Sequence, residues 1–172
     1  MNTKVPNSRG QRYLLWGLFA VYLFLLVWII LFKFQTDFSV FSGTRSLNLV
    51  PYGASAVVNG SVDLSEICNN ILIFLPFGLY LSLLCPRWSW GRKALLIAAF
   101  SLLLEIFQYA LAVGSSDVTD VINNTLGGLA GIGLYWLFFR ALGQRTTAVL
   151  TGIACFCTVA LVGLTALLLL SN

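Results

Sequence analysis

Histidine is absent from this 172-residue chain, and only 9% of its residues are charged. The first absence excludes Ser-His-Asp triads, imidazole bases and His-ligated zinc, so any metal would need hard oxygen ligands. The second excludes a water-soluble exterior, for which about 25–35% charged residues is usual. No Cys-x-x-Cys pair occurs, and Cys68, Cys85, Cys155 and Cys157 all lie in apolar runs. Thiol redox chemistry and thiolate zinc sites are therefore set aside, and the four thiols read as packing or lipid-facing groups. Internal repeats and low-complexity tracts are also missing. The ten Lys and Arg fall in short blocks between hydrophobic runs rather than on one aromatic-laced basic face, which argues against a nucleic-acid partner.

What is abundant is apolar surface. Hydrophobic residues make up 59% of the chain and the mean hydropathy is +0.90, above the roughly 45–50% apolar content of soluble domains. The uncharged run Tyr13–Phe32 supplies 20 residues. That is about 30 Å of helix, the thickness of the hydrocarbon core. It follows Lys4, Arg9 and Arg12 as a signal peptide would. However, it is too long, and no small-x-small cleavage pattern follows, so it is expected to stay as an anchor. Further runs at 67–85, 94–113, 121–139 and 148–170 each suit one crossing. The expected fold is an all-α, polytopic transmembrane bundle of five spans in one membrane domain, residues 13–172, after a tail of residues 1–12.

Direction follows from the cations, which mark cytoplasmic loops. With the N-terminus inside, eight cations face the cytoplasm and only Lys33 and Arg45 face out, which places the C-terminus outside. The carboxylates then sort the other way, with Asp37, Asp63, Glu66, Asp117 and Asp120 at the outer surface and Glu105 in the outer half of span three. A multi-pass protein of the cell membrane is expected. The connector at 33–65 is not a second domain. Its Val57-Val58-Asn59-Gly60-Ser61-Val62 segment has the turn signal of a short hairpin.

Polar groups inside the spans need a reason. A carboxylate at mid-membrane costs about 2.5–3.5 kcal/mol even on the lenient insertion scale, which makes Glu105 a functional candidate. Ser101, Glu105, Gln108 and Tyr109 share one side of span three, and Glu105 is expected at the floor of a cavity entered from outside. Asp117 and Asp120 have capping-box spacing at the start of span four, and could instead hold a divalent cation. Asn123 and Asn124, one turn deeper, can hydrogen-bond across to Glu105 or Gln108. Gly127 and Gly131 permit close approach of another helix backbone, and spans three and four are expected to pack tightly, polar face to polar face. Span two adds Glu66, with Asp63 at capping spacing, then Asn69, Asn70 and Pro76, where a kink is expected. Arg45 and Asn48 in the connector supply a cation and an amide above the cavity.

Four ordered blocks resemble one family. Arg45-Ser-Leu-Asn-Leu-Val-Pro-Tyr52, Asn70-Ile-Leu-Ile-Phe-Leu-Pro-Phe-Gly78, Ser101-x-x-x-Glu105-x-x-Gln108 and Asp117-Val-Thr-Asp120-Val-Ile-Asn-Asn-Thr-Leu-Gly-Gly128 look like the VanZ-like membrane proteins. The resemblance spans about Arg45 to Trp136. Many relatives carry an Arg three residues before the first Asp of the last block, where this chain has Gly114. The resemblance implies a role in resistance to teicoplanin-type glycopeptides at the cell envelope, but no defined reaction.

Two functions fit these readings. In the first, a non-enzymatic protein binds or shields a lipid-linked envelope component or the acyl tail of a lipoglycopeptide. Its ligand-binding candidates are Arg45, Asn48, Glu66, Asn70, Glu105, Gln108, Asp117, Asp120, Asn123 and Asn124. In the second, an integral membrane enzyme acts on a lipid-linked precursor, with Glu105 as general acid or base, Arg45 on a phosphate, and Asp117 with Asp120 on a divalent cation. A weaker third reading makes Glu105 a proton site in a transporter, for which the missing repeat symmetry is a poor fit. No cofactor is expected.

Overall fold

A computed structural model of the chain describes residues 9–32, 46–52, 57–58, 61–62, 64–113 and 115–171. Five α-helices dominate: α1 (Arg9–Phe32), α2 (Leu64–Leu84), α3 (Trp90–Leu111), α4 (Val118–Leu142) and α5 (Thr146–Ser171). Each covers one expected apolar run almost entirely, with α2 stopping one residue and α3 two residues short of the expected end, and each begins before its run because polar and capping residues start the helical backbone. Four segments are long and apolar enough to cross a membrane. Three of them are Arg9–Leu31, Leu64–Leu84 and Trp90–Leu111, and the fourth is the 46-residue stretch Val118–Gly163. That stretch is broken by a 3-10 turn at Gly143–Arg145, where Gly143 adopts φ +56°.

The tightest helix pair is α2 with α4. The two run parallel, so Ile71 meets Gly127, Leu75 meets Gly131, and Gly78 meets Gly128 and Ile132. A Cβ on Gly78 would overlap the Gly128 carbonyl oxygen, and Cβ atoms on Gly127 and Gly131 would overlap the carbonyls of Ile71 and Leu75. The glycines thus remove side chains where two backbones touch, as small residues do in lipid, where the hydrophobic effect offers little drive for association. The close backbone approach expected at Gly127 and Gly131 is made, and the partner is span two, α2. Gly128 alone faces α3, through Ile97.

α1 and α3 complete the core. Phe77 of α2 lies 5.4 Å from the Phe19 ring of α1 and 5.2 Å, edge-on, from Phe100 of α3. α2 continues through Pro76, and the Tyr22 hydroxyl donates to the Ile73 carbonyl at 2.7 Å, close to the carbonyl that proline leaves without its helical donor. Leu95, Leu102 and Ile106 on the outward face of α3 are exposed, as a lipid-contacting surface would be.

Two small sheets decorate one end. β2 (Val57–Val58) pairs antiparallel with β3 (Ser61–Val62), which gives the expected hairpin ladder, though its Asn59-Gly60 turn lies outside the described residues. β1 (Ser46–Asn48) pairs parallel with β4 (Ser115–Asp117), in the register Ser46 with Ser115 and Asn48 with Asp117. This second ladder ties the connector to the turn between α3 and α4, over the end of the bundle where α2 and α4 begin.

Candidate functional site

The α3–α4 turn builds the site. α3 ends at Ala112, a non-glycine residue held at φ +54°, whose N–H and that of Val113 return to carbonyls of the last helical turn. The chain then passes through β4 and enters α4 with Asp117 as its N-cap, its Oδ1 accepting from Thr119 N–H at 2.8 Å. In a capping box the third helical residue returns its side chain to the cap's own backbone N–H. Here Asp120 occupies that position but faces Asn70 of α2, whose Nδ2 donates to its Oδ1 at 2.6 Å. Glu105 of α3 takes the vacated role: its Oε2 accepts the Asp117 N–H at 2.8 Å, while Ser116 Oγ donates to the Glu105 carbonyl at 3.1 Å.

Glu105 is only 4% exposed and lies beneath this turn. Sequence puts Glu105 at the floor of a recess entered from outside; among the described residues its carboxylate is engaged by the β4 turn, through the Asp117 N–H.

A strap from the connector joins the same cluster. Asn48 Nδ2 donates to Asp117 Oδ2 at 3.2 Å, and Asn48 Oδ1 accepts from Val50 N–H at 3.1 Å. Tyr52, at φ +54°, donates its backbone N–H to Thr119 Oγ1 at 2.9 Å and its hydroxyl to Asn123 Oδ1 at 3.0 Å. While Asn48 and Tyr52 reach inward, Leu47, Leu49 and Val50 point away, with Leu49 70% exposed.

Deeper in, Asn124 Nδ2 donates to Ser101 Oγ at 2.8 Å, and Gln108 Nε2 donates to the Ile30 carbonyl of α1 at 3.1 Å. The Asn123 and Asn124 amides therefore pair with Tyr52 and Ser101, not with Glu105 or Gln108 as expected. The difference follows from packing, since α4 lies against α2 and offers only part of its face to α3. Three buried atoms lack a partner among the described residues: Gln108 Oε1, Asn123 Nδ2 and Asn124 Oδ1. A buried amide atom left unpaired is costly, so these mark where water or a ligand group would be held.

Of the remaining sequence candidates, Glu66 sits exposed in the first turn of α2, within electrostatic reach of Glu105 and Asp120. Asn69 is exposed and Tyr109 is 42% exposed, so neither joins the buried stripe. Arg45 and Asp63 lie outside the described residues. Among the described residues no three carboxylates or thiols converge in a way that could hold a metal ion, and Asp117 and Asp120 are each turned to different partners. Tyr52, Ser116 and Thr119 were not singled out as site residues. Tyr52 and Thr119 carry only the signal of lying in two of the resemblance blocks, and Ser116 falls just before the last block; hydroxyls near caps are read first as local turn formers.

At the opposite end, Lys93 in the first turn of α3 is 4% exposed and donates from Nζ to Ser82 Oγ at 3.3 Å. A cation read from sequence as a loop charge is thus built into the α2–α3 packing.

Comparisons with known proteins agree with the site's sequence blocks. The chain is 40% identical over 131 residues to Protein VanZ of Enterococcus faecium, covering 75% of this chain and 78% of that protein. No solved structure matches. The VanZ/LLP1 family model matches residues 19–139, a stretch that holds the residues whose hydrogen bonds build the polar cluster. This chain, with its long apolar helices and the Asp117–Glu105 turn between α3 and α4, therefore belongs to the VanZ/LLP1 family of membrane proteins.

Proposed function

We propose that the chain crosses the cell membrane five times with its N-terminus inside, and that the polar cluster lies just below the extracytoplasmic surface. Two observations support this topology. The break at Gly143–Arg145 divides the 46-residue apolar stretch into two helices of membrane-crossing length. Exposed Arg12, Arg87, Arg92, Arg140 and Arg145 also gather at the end opposite the polar cluster, which is the cationic end the positive-inside rule assigns to the cytoplasm. Trp88 and Trp90 beside them are exposed, as aromatic residues at a membrane interface are.

The function this arrangement supports best is recognition of an amphiphilic cell-envelope molecule, a lipid-linked wall component or a teicoplanin-type lipoglycopeptide, which the protein binds or shields at the outer leaflet. The observation that carries the reading is the two-sided strap. Asn48 and Tyr52 are tied to the polar cluster, and Leu47, Leu49 and Val50 on the same segment are bare. A molecule with a polar head and an acyl tail meets both faces. The polar groups offered are amides, hydroxyls and carboxylates, the donor and acceptor set that suits peptide and sugar groups.

The test compares drug tolerance and ligand binding for the native chain and for Glu105→Gln with Asp120→Asn, expressed in a glycopeptide-susceptible Gram-positive host. The native chain should raise tolerance to teicoplanin-type drugs above tolerance to unacylated glycopeptides, and the double variant should abolish the gain at equal expression. Retained tolerance and binding in the double variant would remove the polar cluster from the function. Altered lipid or wall precursors on mass spectrometry would point to an enzyme instead.

A further inference from the structure

On the side of α2 away from the polar cluster, α1, α2, α4 and α5 leave a cavity of about 460 Å³. Leu79, one of its walls, is nine residues beyond Asn70, about two and a half turns, which puts the two on opposite faces of α2. Leu26 of α1, Leu134 of α4 and Ala154 of α5 supply the other walls. The polar groups there are already engaged, with the Tyr22 hydroxyl on the Ile73 carbonyl and the Tyr80 hydroxyl on Thr158. Such a cavity excludes water, which needs two or more polar partners, and it offers a ligand nothing but apolar contact. An apolar space of this size is costly to leave empty, because the side chains that line it forgo contact on one side.

Its position says what fills it. The four walls all belong to membrane-crossing segments, and Ile153, which lines the cavity, is also 47% exposed, beside Phe156 and Val159, which are more exposed still. The cavity is therefore continuous with the lipid-facing surface of α5. We propose that it holds one acyl chain of a membrane phospholipid, threaded between α1 and α5 against α2 and α4. An amphiphile whose head is bound at the polar cluster lies across α2 and cannot lend its tail to this site, so the resident lipid is a separate ligand. Thr146 Oγ1 on the Phe138 carbonyl and Gln11 Nε2 on Thr151 Oγ1 hold the start of α5, and Tyr80 meets Thr158 further along. Between these points the acyl chain fills the gap between α5 and the rest of the bundle.

The experiment uses the full chain in phosphatidylcholine nanodiscs in which a small fraction of the lipid carries a diazirine midway along one acyl chain. After irradiation, adducts are mapped by peptide mass spectrometry. Adducts are expected on Leu79, Leu134 and Ala154, as well as on the outward residues Leu102 and Ile106 of α3. Ala154→Trp, which fills the cavity, should lose the Leu79 and Leu134 adducts and keep those on α3. Adducts confined to outward residues in the native chain, or Leu79 adducts unchanged in Ala154→Trp, would overturn the proposal. If Ala154→Trp does not fold, Leu134→Phe is read in the same way at Leu79. Because none of these positions touches the polar cluster, failure here leaves the amphiphile reading standing, and the reverse holds too.

Discussion

The Glu105 carboxylate and the backbone N–H of Asp117, 2.8 Å apart, join the last turns of α3 to the N-cap of α4. Glu105 thus completes the cap of a helix to which it does not belong. This gives the intramembrane acid a structural task beside any functional one, and the two can be separated.

Glu105→Gln keeps an oxygen for the Asp117 N–H, whereas Glu105→Ala leaves that donor buried and unpaired, at a cost of about 1–3 kcal/mol. Thermal unfolding in detergent should therefore show a clear loss for the alanine variant and little for glutamine. Equal losses for both would mean that the negative charge, not the acceptor, holds the turn.

The α2–α4 seam makes a sharper prediction. Gly78→Ala and Gly131→Ala each force a methyl into a facing backbone and should destabilise by about 1–3 kcal/mol, the usual cost of overpacking. Gly133→Ala, which meets nothing within 4 Å, should instead be neutral or gain up to about 1 kcal/mol from helix propensity. Unfolding midpoints of the three single variants decide it.

The pair between Asn70 and Asp120 is measurable by a double-mutant cycle. Replacing each by Leu, alone and together, should give a coupling of about 0.6 kcal/mol and at most about 1.7 kcal/mol, the average and the maximum found for hydrogen bonds between membrane helices. Additive effects would show that the 2.6 Å contact contributes nothing beyond its parts.

Tyr52→Phe removes the hydroxyl that satisfies Asn123 Oδ1 while leaving the ring and the backbone bond to Thr119. The variant should cost about 1–3 kcal/mol, since an amide only 1% exposed then lacks partners at both of its polar atoms. Hydrogen exchange at residues 46–52 should rise in the same variant. Unchanged exchange would mean that the β1–β4 ladder with the Asn48–Asp117 and Tyr52–Thr119 bonds fixes the strap without the hydroxyl.

Much of this was legible in the sequence, for reasons that particular residues explain. The apolar runs identify the helices because lipid demands uninterrupted length, and Asp117 reads as a cap because its spacing to the first helical turn is local. The partner of Gly127 and Gly131 was not legible. A small-residue spacing says that a backbone will come close but not which one, and α2 is the neighbour even though α3 lies between the two in sequence. The β1–β4 ladder was equally hidden, because a parallel pair of three-residue strands separated by two helices has no local pattern. Lys93 misled for another reason, since a cation next to a Gly-Arg pair at a helix start looks like any loop charge until Ser82 is placed beside it.

The parallel seating of α2 on α4 also bears on how the chain is made. Synthesis delivers α2, then α3, then α4, so when α3 emerges Gly78 faces no backbone, Asn70 has no carboxylate to bond, and Glu105 has no cap to fill. The insertion machinery must shelter these polar and side-chain-free surfaces until the Asp117 turn leaves the ribosome. Nascent chains stopped when α3 has just cleared the ribosome should therefore still be held beside the translocon, and those stopped once α4 has cleared it should have been released.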